Sequence, residues 1–163
     1  MRSRSLIILA LAMAAAGCGD KRGEAVGQID KFLAAASGDD RMAFEARIDR
    51  LALRADLKGQ LMALPEVRTL QEQLGDGTGD VAVDRMISPQ SFRDLRSGAD
   101  PLPAKGDLRG IRAKLRVLAR DRVCLRGETD KARCLLTFAR QGGSWKLVAL
   151  YAPNLKTRAL GDI

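Results

Sequence analysis

The stretch RVCLRGETDKARCLL, residues 122–136, decides the fold of this chain. Apolar and polar residues alternate on either side of a polar turn, with Cys124 before it and Cys134 after it. That is the pattern of two antiparallel strands joined by a hairpin. If Glu128, Thr129 and Asp130 form a three-residue loop, Cys124 faces Cys134 and a cross-strand disulfide is geometrically natural. Closing a loop of this size stabilises by roughly 2.5 to 3 kcal/mol in the chain-entropy account. A metal pair and a redox pair are the alternatives. The chain has no histidine, two thiols alone do not complete a zinc site, and the spacing is not Cys-x-x-Cys.

Outward from this hairpin the period of two continues. Leu115, Val117, Ala119, Val123 and Leu125 alternate with Arg116, Leu118, Arg120, Arg122, Cys124 and Arg126, as one long strand or two short ones broken near Asp121. Ile111, Leu115 and Leu118 also fit a helix, so the start of this segment stays open between the two states. A strand follows over 133–140, Gln141-Gly142-Gly143 makes a turn, and 144–151 is a further strand. A short meander of about three strands is expected.

Between residues 24 and 98 most of the chain is helical in pattern. Val26, Ile29, Phe32, Leu33 and Ala36 mark one face of a helix over 24–37, which stops at Gly38. Asp39 or Asp40 then caps a short helix carrying Met42, Phe44 and Ile48. Asp49 restarts the pattern with Leu53, Leu57, Leu61 and Leu64 until Pro65 breaks it, and Val67, Leu70 and Leu74 extend it. GDGTGD, residues 75–80, lacks the lysine of a phosphate loop and the final glutamate of a calcium loop, and is expected to be a connector. Ser88-Pro89 reads as the start of a helix with Phe92 and Leu95, ended by Gly98, and residues 100–103 as an extended linker. Helices followed by an antiparallel meander define an α+β fold. With aromatics at 4% of the chain, the core is expected to be mostly aliphatic.

The first eighteen residues bear on location. Arg2 and Arg4 precede an apolar run from Leu6 to Ala16, and Ala15-Ala16-Gly17-Cys18 follows. Eleven residues make a helix of about 16 Å, too short for a hydrocarbon core of roughly 30 Å. The layout is that of an export signal, and its end resembles the lipobox of bacterial lipoproteins, with alanine where leucine is preferred. On that resemblance residues 1–17 are a lipoprotein signal peptide, Cys18 is the acylated mature N-terminus, 18–23 are a tether, 24–154 one domain and 155–163 a tail. Plain secretion after Ala14-Ala15-Ala16 and an uncleaved anchor are the alternatives. Several acyl chains hold a membrane far more firmly than one. The expected location is the cell envelope, lipid-anchored and facing the periplasm, where disulfides persist.

DRLALRADLKGQL, residues 49–61, together with Ser88-Pro89 and GGSWKLVALYAP, residues 142–153, resembles an uncharacterised family of proteobacterial envelope-associated proteins known as a domain of unknown function. The matching helix positions are Asp49, Leu53, Arg54, Leu57, Gln60 and Leu61. The end of the chain, with Trp145 and Pro153, and the SGDD turn at 37–40 are similar to nuclear-transport-factor-like α+β cone folds. The resemblance implies an α+β fold in the cell envelope and assigns no catalytic residue.

Charge is unevenly placed. Residues 105–126 hold eight basic side chains against Asp107 and Asp121, a local net of +6, and the rest of the mature chain is balanced. Arg116, Arg120, Arg122 and Arg126 on one strand face would make a stripe able to hold carboxylates, phosphates or lipid headgroups. The same arginines also suit a solvated face that discourages edge pairing. Arg54 is a further anion-binding candidate, or a partner in an ion pair. Nucleic acid is not an expected partner for an exported chain with one tryptophan and one tyrosine. No cofactor, metal site or catalytic residue is expected, histidine being absent. Two readings of function result. One is a noncatalytic partner-binding or envelope-maintenance module, and the other is a small anionic ligand-binding module or weak hydrolase with a cone-fold pocket.

Overall fold

A computed structural model describes residues 20–74, 77–96 and 100–156. Cys18 and the expected signal lie outside the described residues, as does Gly98. Among the described residues seven helices precede four strands: α1 (Lys21–Ser37), α2 (Arg41–Glu45), α3 (Arg50–Met62), α4 (Pro65–Leu74), α5 (Gly77–Arg85), α6 (Pro89–Arg96), α7 (Leu108–Lys114), β1 (Leu115–Ala119), β2 (Arg122–Arg126), β3 (Cys134–Gln141) and β4 (Ser144–Leu150). The chain is α+β, with four strands rather than three, because the alternating segment breaks at Asp121 into β1 and β2. Residues 108–114 are the helix that Ile111 allowed, and the strand starts at Leu115.

Short polar side chains start the helices. The Asp40 carboxylate accepts the Ala43 amide at 2.9 Å, Asp49 that of Ala52 at 3.0 Å and Asp107 that of Gly110 at 2.8 Å. Each satisfies a donor that the helix cannot. Ser88 does the same for Ser91 at 3.1 Å. Helix α1 starts at Lys21, within the segment 18–23 expected to be a tether. Met42, expected on an apolar face, is 85% exposed.

Residues 77–80, expected to be part of a connector, are helical. Tertiary capture overrides the poor helix propensity of glycine here. Val83 is fully buried, Asp80 takes Lys58 at 2.9 Å and Asp84 pairs with Arg50 and Arg54. The domain also runs past residue 154, since Leu155 is buried and Lys156 pairs with Glu66.

The core lies between the helices and one face of the sheet. Its periphery is aliphatic, but its centre is aromatic: Phe32 packs on Phe44, Phe92 and Phe138 at ring separations of 5.6, 5.3 and 5.5 Å. All four phenylalanines of the chain thus meet at one point, where tilted and edge-on rings add to simple burial. Trp145 is likewise buried.

The sheet order is β1-β2-β3-β4, antiparallel throughout. Beyond β4, residues 47–49 add a short parallel rung: Leu147 donates to the Arg47 carbonyl at 2.9 Å and Asp49 donates to that of Leu147 at 2.8 Å. This covers the β4 edge and leaves β1 as the free one among the described residues. The β3–β4 turn places both Gly142 (φ 54°) and Gly143 (φ 84°) in left-handed backbone, the requirement of a tight mirror-image turn.

Cys124 and Cys134 form a disulfide, with Cα atoms 5.5 Å apart. The expected register does not hold. Cys124 pairs with Thr137 and Cys134 with Arg126, and the loop spans 127–133. A bulge on β3 between Cys134 and Leu136 accounts for the shift. The wider loop is pinned from outside, because Asp100 accepts the Thr129 amide at 3.3 Å and its hydroxyl.

Candidate functional site

The sheet has one packed face and one open face. Val123, Leu125, Leu136, Phe138 and Leu147 face the core. On the other side Arg116 and Arg122 are exposed, and Arg126, Thr137, Ala139 and Lys146 are half-buried. The register accounts for the grouping: Arg116 lies opposite Cys124, which Arg122 and Arg126 flank in β2, and Ala139 pairs with both Arg122 and Lys146.

The expected four-arginine stripe is therefore only partly assembled. Arg116, Arg122 and Arg126 share the open face. Arg120 stands in the β1–β2 turn, beyond the strand ends. Arg126 is at the opposite end of β2, and its Nε is buried without a hydrogen-bond partner among the described residues.

Arg54 is not with them. Its guanidinium pairs with Asp84 of α5, which Arg50 also contacts at 3.3 Å. Arg50 further pairs with Glu45 and donates to the Ile87 carbonyl at 3.1 Å. Its hydrogen bond to Glu45, followed by the further acidic contacts, holds the guanidinium pKa above the ordinary arginine value against the opposing effect of burial. These pairs tie α2, α3 and α5 together, and they occupy Arg54 as an ion-pair partner.

At the turn end of the sheet three elements converge. Lys21 at the start of α1, Arg120 and Asp121 of the β1–β2 turn, and Arg140, Gly142 and Gly143 line a depression of about 500 Å³. The Arg140 amide donates to the Asp121 carbonyl at 2.8 Å, and its guanidinium pairs with Glu24 of α1 at 3.2 Å. Arg22 donates to the Arg112 carbonyl at 3.2 Å. Of the eight basic side chains over 105–126, Lys114 pairs with Glu128 at 2.8 Å. Among the described residues no carboxylate lies within ion-pairing distance of the other seven, and Lys21 and Lys146 are likewise unpaired.

A second basic feature was not foreseen. Arg96 is only 8% exposed, yet among the described residues it forms no ion pair: it donates to the Tyr151 carbonyl at 3.3 Å and to that of Asp100, whose carboxylate acts on it only at longer range. Burial pushes its pKa below the ordinary arginine value, though a guanidinium stays charged. It lines a cleft of about 350 Å³ with Arg93, Phe92, Leu33 and Lys105. The signal for it was its place four residues after Phe92 and next to Leu95, on the apolar side of α6. Among the described residues no group of three His, Cys, Asp or Glu side chains could hold a metal, and no helix is long and apolar enough to cross a membrane.

These features define an α+β domain with a packed phenylalanine centre and an open, cationic sheet face. The chain belongs to the family described as Protein of unknown function (DUF2939), whose model matches residues 9–95. The match covers the Asp49–Leu61 helix and Ser88-Pro89 and ends before the sheet, so the resemblance expected of the tryptophan-bearing strand falls outside it. No curated protein and no solved structure matches the chain.

Proposed function

We propose that this protein is a noncatalytic, lipid-anchored module of the bacterial cell envelope that faces the periplasm and binds an anionic partner through its open sheet face. The observation that carries the reading is the set of cations Arg116, Arg120 and Arg122, which form no ion pair among the described residues in a chain that pairs cations readily elsewhere. Guanidiniums without internal partners are free to take phosphates or carboxylates from outside. The disulfide supports an oxidising compartment. The eleven-residue apolar run and Ala15-Ala16-Gly17-Cys18 support export followed by acylation of Cys18.

Mass spectrometry of the protein from its own membrane tests the anchor. A mature chain starting at acylated Cys18 is expected; an intact Met1 and no acyl group would overturn it. Capture from solubilised envelope tests the binding face. An Arg116→Ser/Arg122→Ser variant should lose a partner that the parent retains, and recovery of the bait alone from both counts against the reading.

The cleft at Arg96 favours a second reading, a small-anion binding module. Arg96 and Lys105 beside an apolar wall fit a small carboxylate better than a broad partner surface, with Arg93 taken by Asp39 and the Asp100 carboxylate on the same rim held by Thr129. Titration calorimetry with simple carboxylates and an Arg96→Met variant distinguishes it from the first, and heats equal to dilution in the parent would remove it.

A further inference from the structure

Building on the membrane-anchored reading above, we infer that the domain lies against the bilayer through the free edge of β1, with anionic lipid headgroups held by the arginines around that edge.

Residues 116–122, RVLARDR, form an unbroken exposed run. Within it Val117 is 56% and Leu118 is 42% exposed, and Leu108 of the preceding α7 is 49% exposed. These apolar side chains alternate with exposed Arg109, Arg112, Arg116, Arg120 and Arg122. Of the two acids in this region, Asp107 caps α7 at 2.8 Å, while the Asp121 carboxylate stands exposed between Arg120 and Arg122 and offsets one of the positive charges. Isolated apolar side chains among cations suit the boundary between headgroups and acyl chains, where arginine stems lie along apolar surface while their guanidiniums reach phosphate.

The first described helix starts at the same end of the molecule. Lys21 lines one depression with Arg120, and Cys18 lies two residues before Asp20. Even fully extended, two residues reach only about 7 Å. An acylated Cys18 therefore holds the β1–β2 turn beside the headgroups, leaving little freedom to turn another face toward them.

The edge itself disfavours the other occupant, a strand from a second copy. The register shifts between Val117 and Ala119, so the rim of β1 is irregular, and it is ringed with arginine. Both features discourage strand addition. The headgroup layer is wet enough to satisfy the unpaired amides and carbonyls of such an edge.

Each basic residue near an anionic bilayer is worth about fivefold in partitioning. Losing two should weaken docking by about 25-fold. The test uses the mature protein purified from its membrane, carrying Leu118→Cys labelled with an environment-sensitive fluorophore while the native disulfide stays intact. It is added to vesicles of phosphatidylcholine alone or mixed with phosphatidylglycerol. A blue shift confined to the anionic vesicles, reversed by salt and weakened about 25-fold in Arg116→Gln/Arg120→Gln, is the expected result. A protein bound through its acyl chains whose label stays in water on both vesicles overturns the docking and leaves the anchor standing. A protein without acyl groups whose label still shifts supports the docking and overturns the anchor. A shift that grows with protein concentration in the absence of vesicles marks a strand-to-strand dimer and overturns the inference.

Discussion

The Asp56 carboxylate accepts the Leu150 amide hydrogen at 3.0 Å, joining the middle of α3 to the end of β4. Gln60, one turn later, donates to the Leu150 carbonyl at 2.6 Å and to Asp56 at 2.9 Å, and accepts from the Ala152 amide at 3.4 Å. Two side chains thus do what another strand would otherwise do for the last residues of the sheet. Gln60 is a position of the helix motif at 49–61, which gives that motif a structural reason.

Asp56→Ala leaves a part-buried amide without its acceptor and should destabilise the domain by about 1 to 3 kcal/mol. Gln60→Ala should cost a similar amount. The pair should be non-additive, since they share a network. Urea unfolding midpoints of the parent, both singles and the double check this; a parent-like Asp56→Ala midpoint contradicts the clamp.

Replacing Cys124 and Cys134 by serine opens a ten-residue separation and should lower stability by roughly 2.5 to 3 kcal/mol. The bond staples β2 to β3 beside a bulge and a seven-residue loop, where strand pairing alone is weakest. Thermal unfolding with and without reductant measures the effect. Reductant should move the parent and leave the double serine variant where it is.

Asp49 ties stability to acid pH. The Ala52 amide first, then Gln141 at 2.6 Å, holds its carboxyl below the ordinary aspartate range. A carboxylate depressed by folding gives stability that is complete above the unfolded pKa of about 3.9 and is lost as pH falls from there through the folded value. Asp49→Asn keeps a good helix cap but cannot titrate. Its unfolding free energy should therefore decline less steeply than the parent's below about pH 4. Parallel acid limbs in the two proteins would show that the depression is not felt.

Phe32→Ala removes the ring on which three others rest and should cost about 3 to 5 kcal/mol, enough to abolish folding in a marginal domain. Phe32→Leu should fold but lose stability, because a flexible aliphatic group cannot make the edge-on contacts. Near-ultraviolet circular dichroism and calorimetry of the leucine variant provide the check. Unchanged melting would remove the aromatic centre from the account.

Most of the helices were legible because their determinants are local. Asp40, Asp49 and Ser88 each satisfy an amide three residues on, and Leu53, Leu57 and Leu61 repeat at the period of the helix itself, whereas the Asp107 cap that starts α7 was overlooked. The connector expected at 75–80 was misread over 77–80, since what folds α5 is the burial of Val83 and the distant Arg50, Arg54 and Lys58. The strands were legible in place but not in register. Nothing near Cys134 announces the bulge, and Thr129 is pinned by Asp100, twenty-nine residues away. The arginine stripe was half legible: strand alternation correctly grouped Arg116 with Arg122 and Arg126, but it could not foresee Lys146 joining them or Arg54 being claimed by Asp84.

The amino-acid order alone determined the α+β class, the capped starts of α2, α3 and α6, the choice of Cys124 and Cys134 as partners and the clustering of positive charge after residue 104. Those properties depend on periodicity, capping and composition, which act over a few neighbouring residues. Only the tertiary structure decided which cations stand free, which edge of the sheet is left uncovered and that Lys21 and Arg120 line one depression. Such facts depend on pairing register and on contacts between residues up to about a hundred positions apart, whose energies are settled only when the whole core closes.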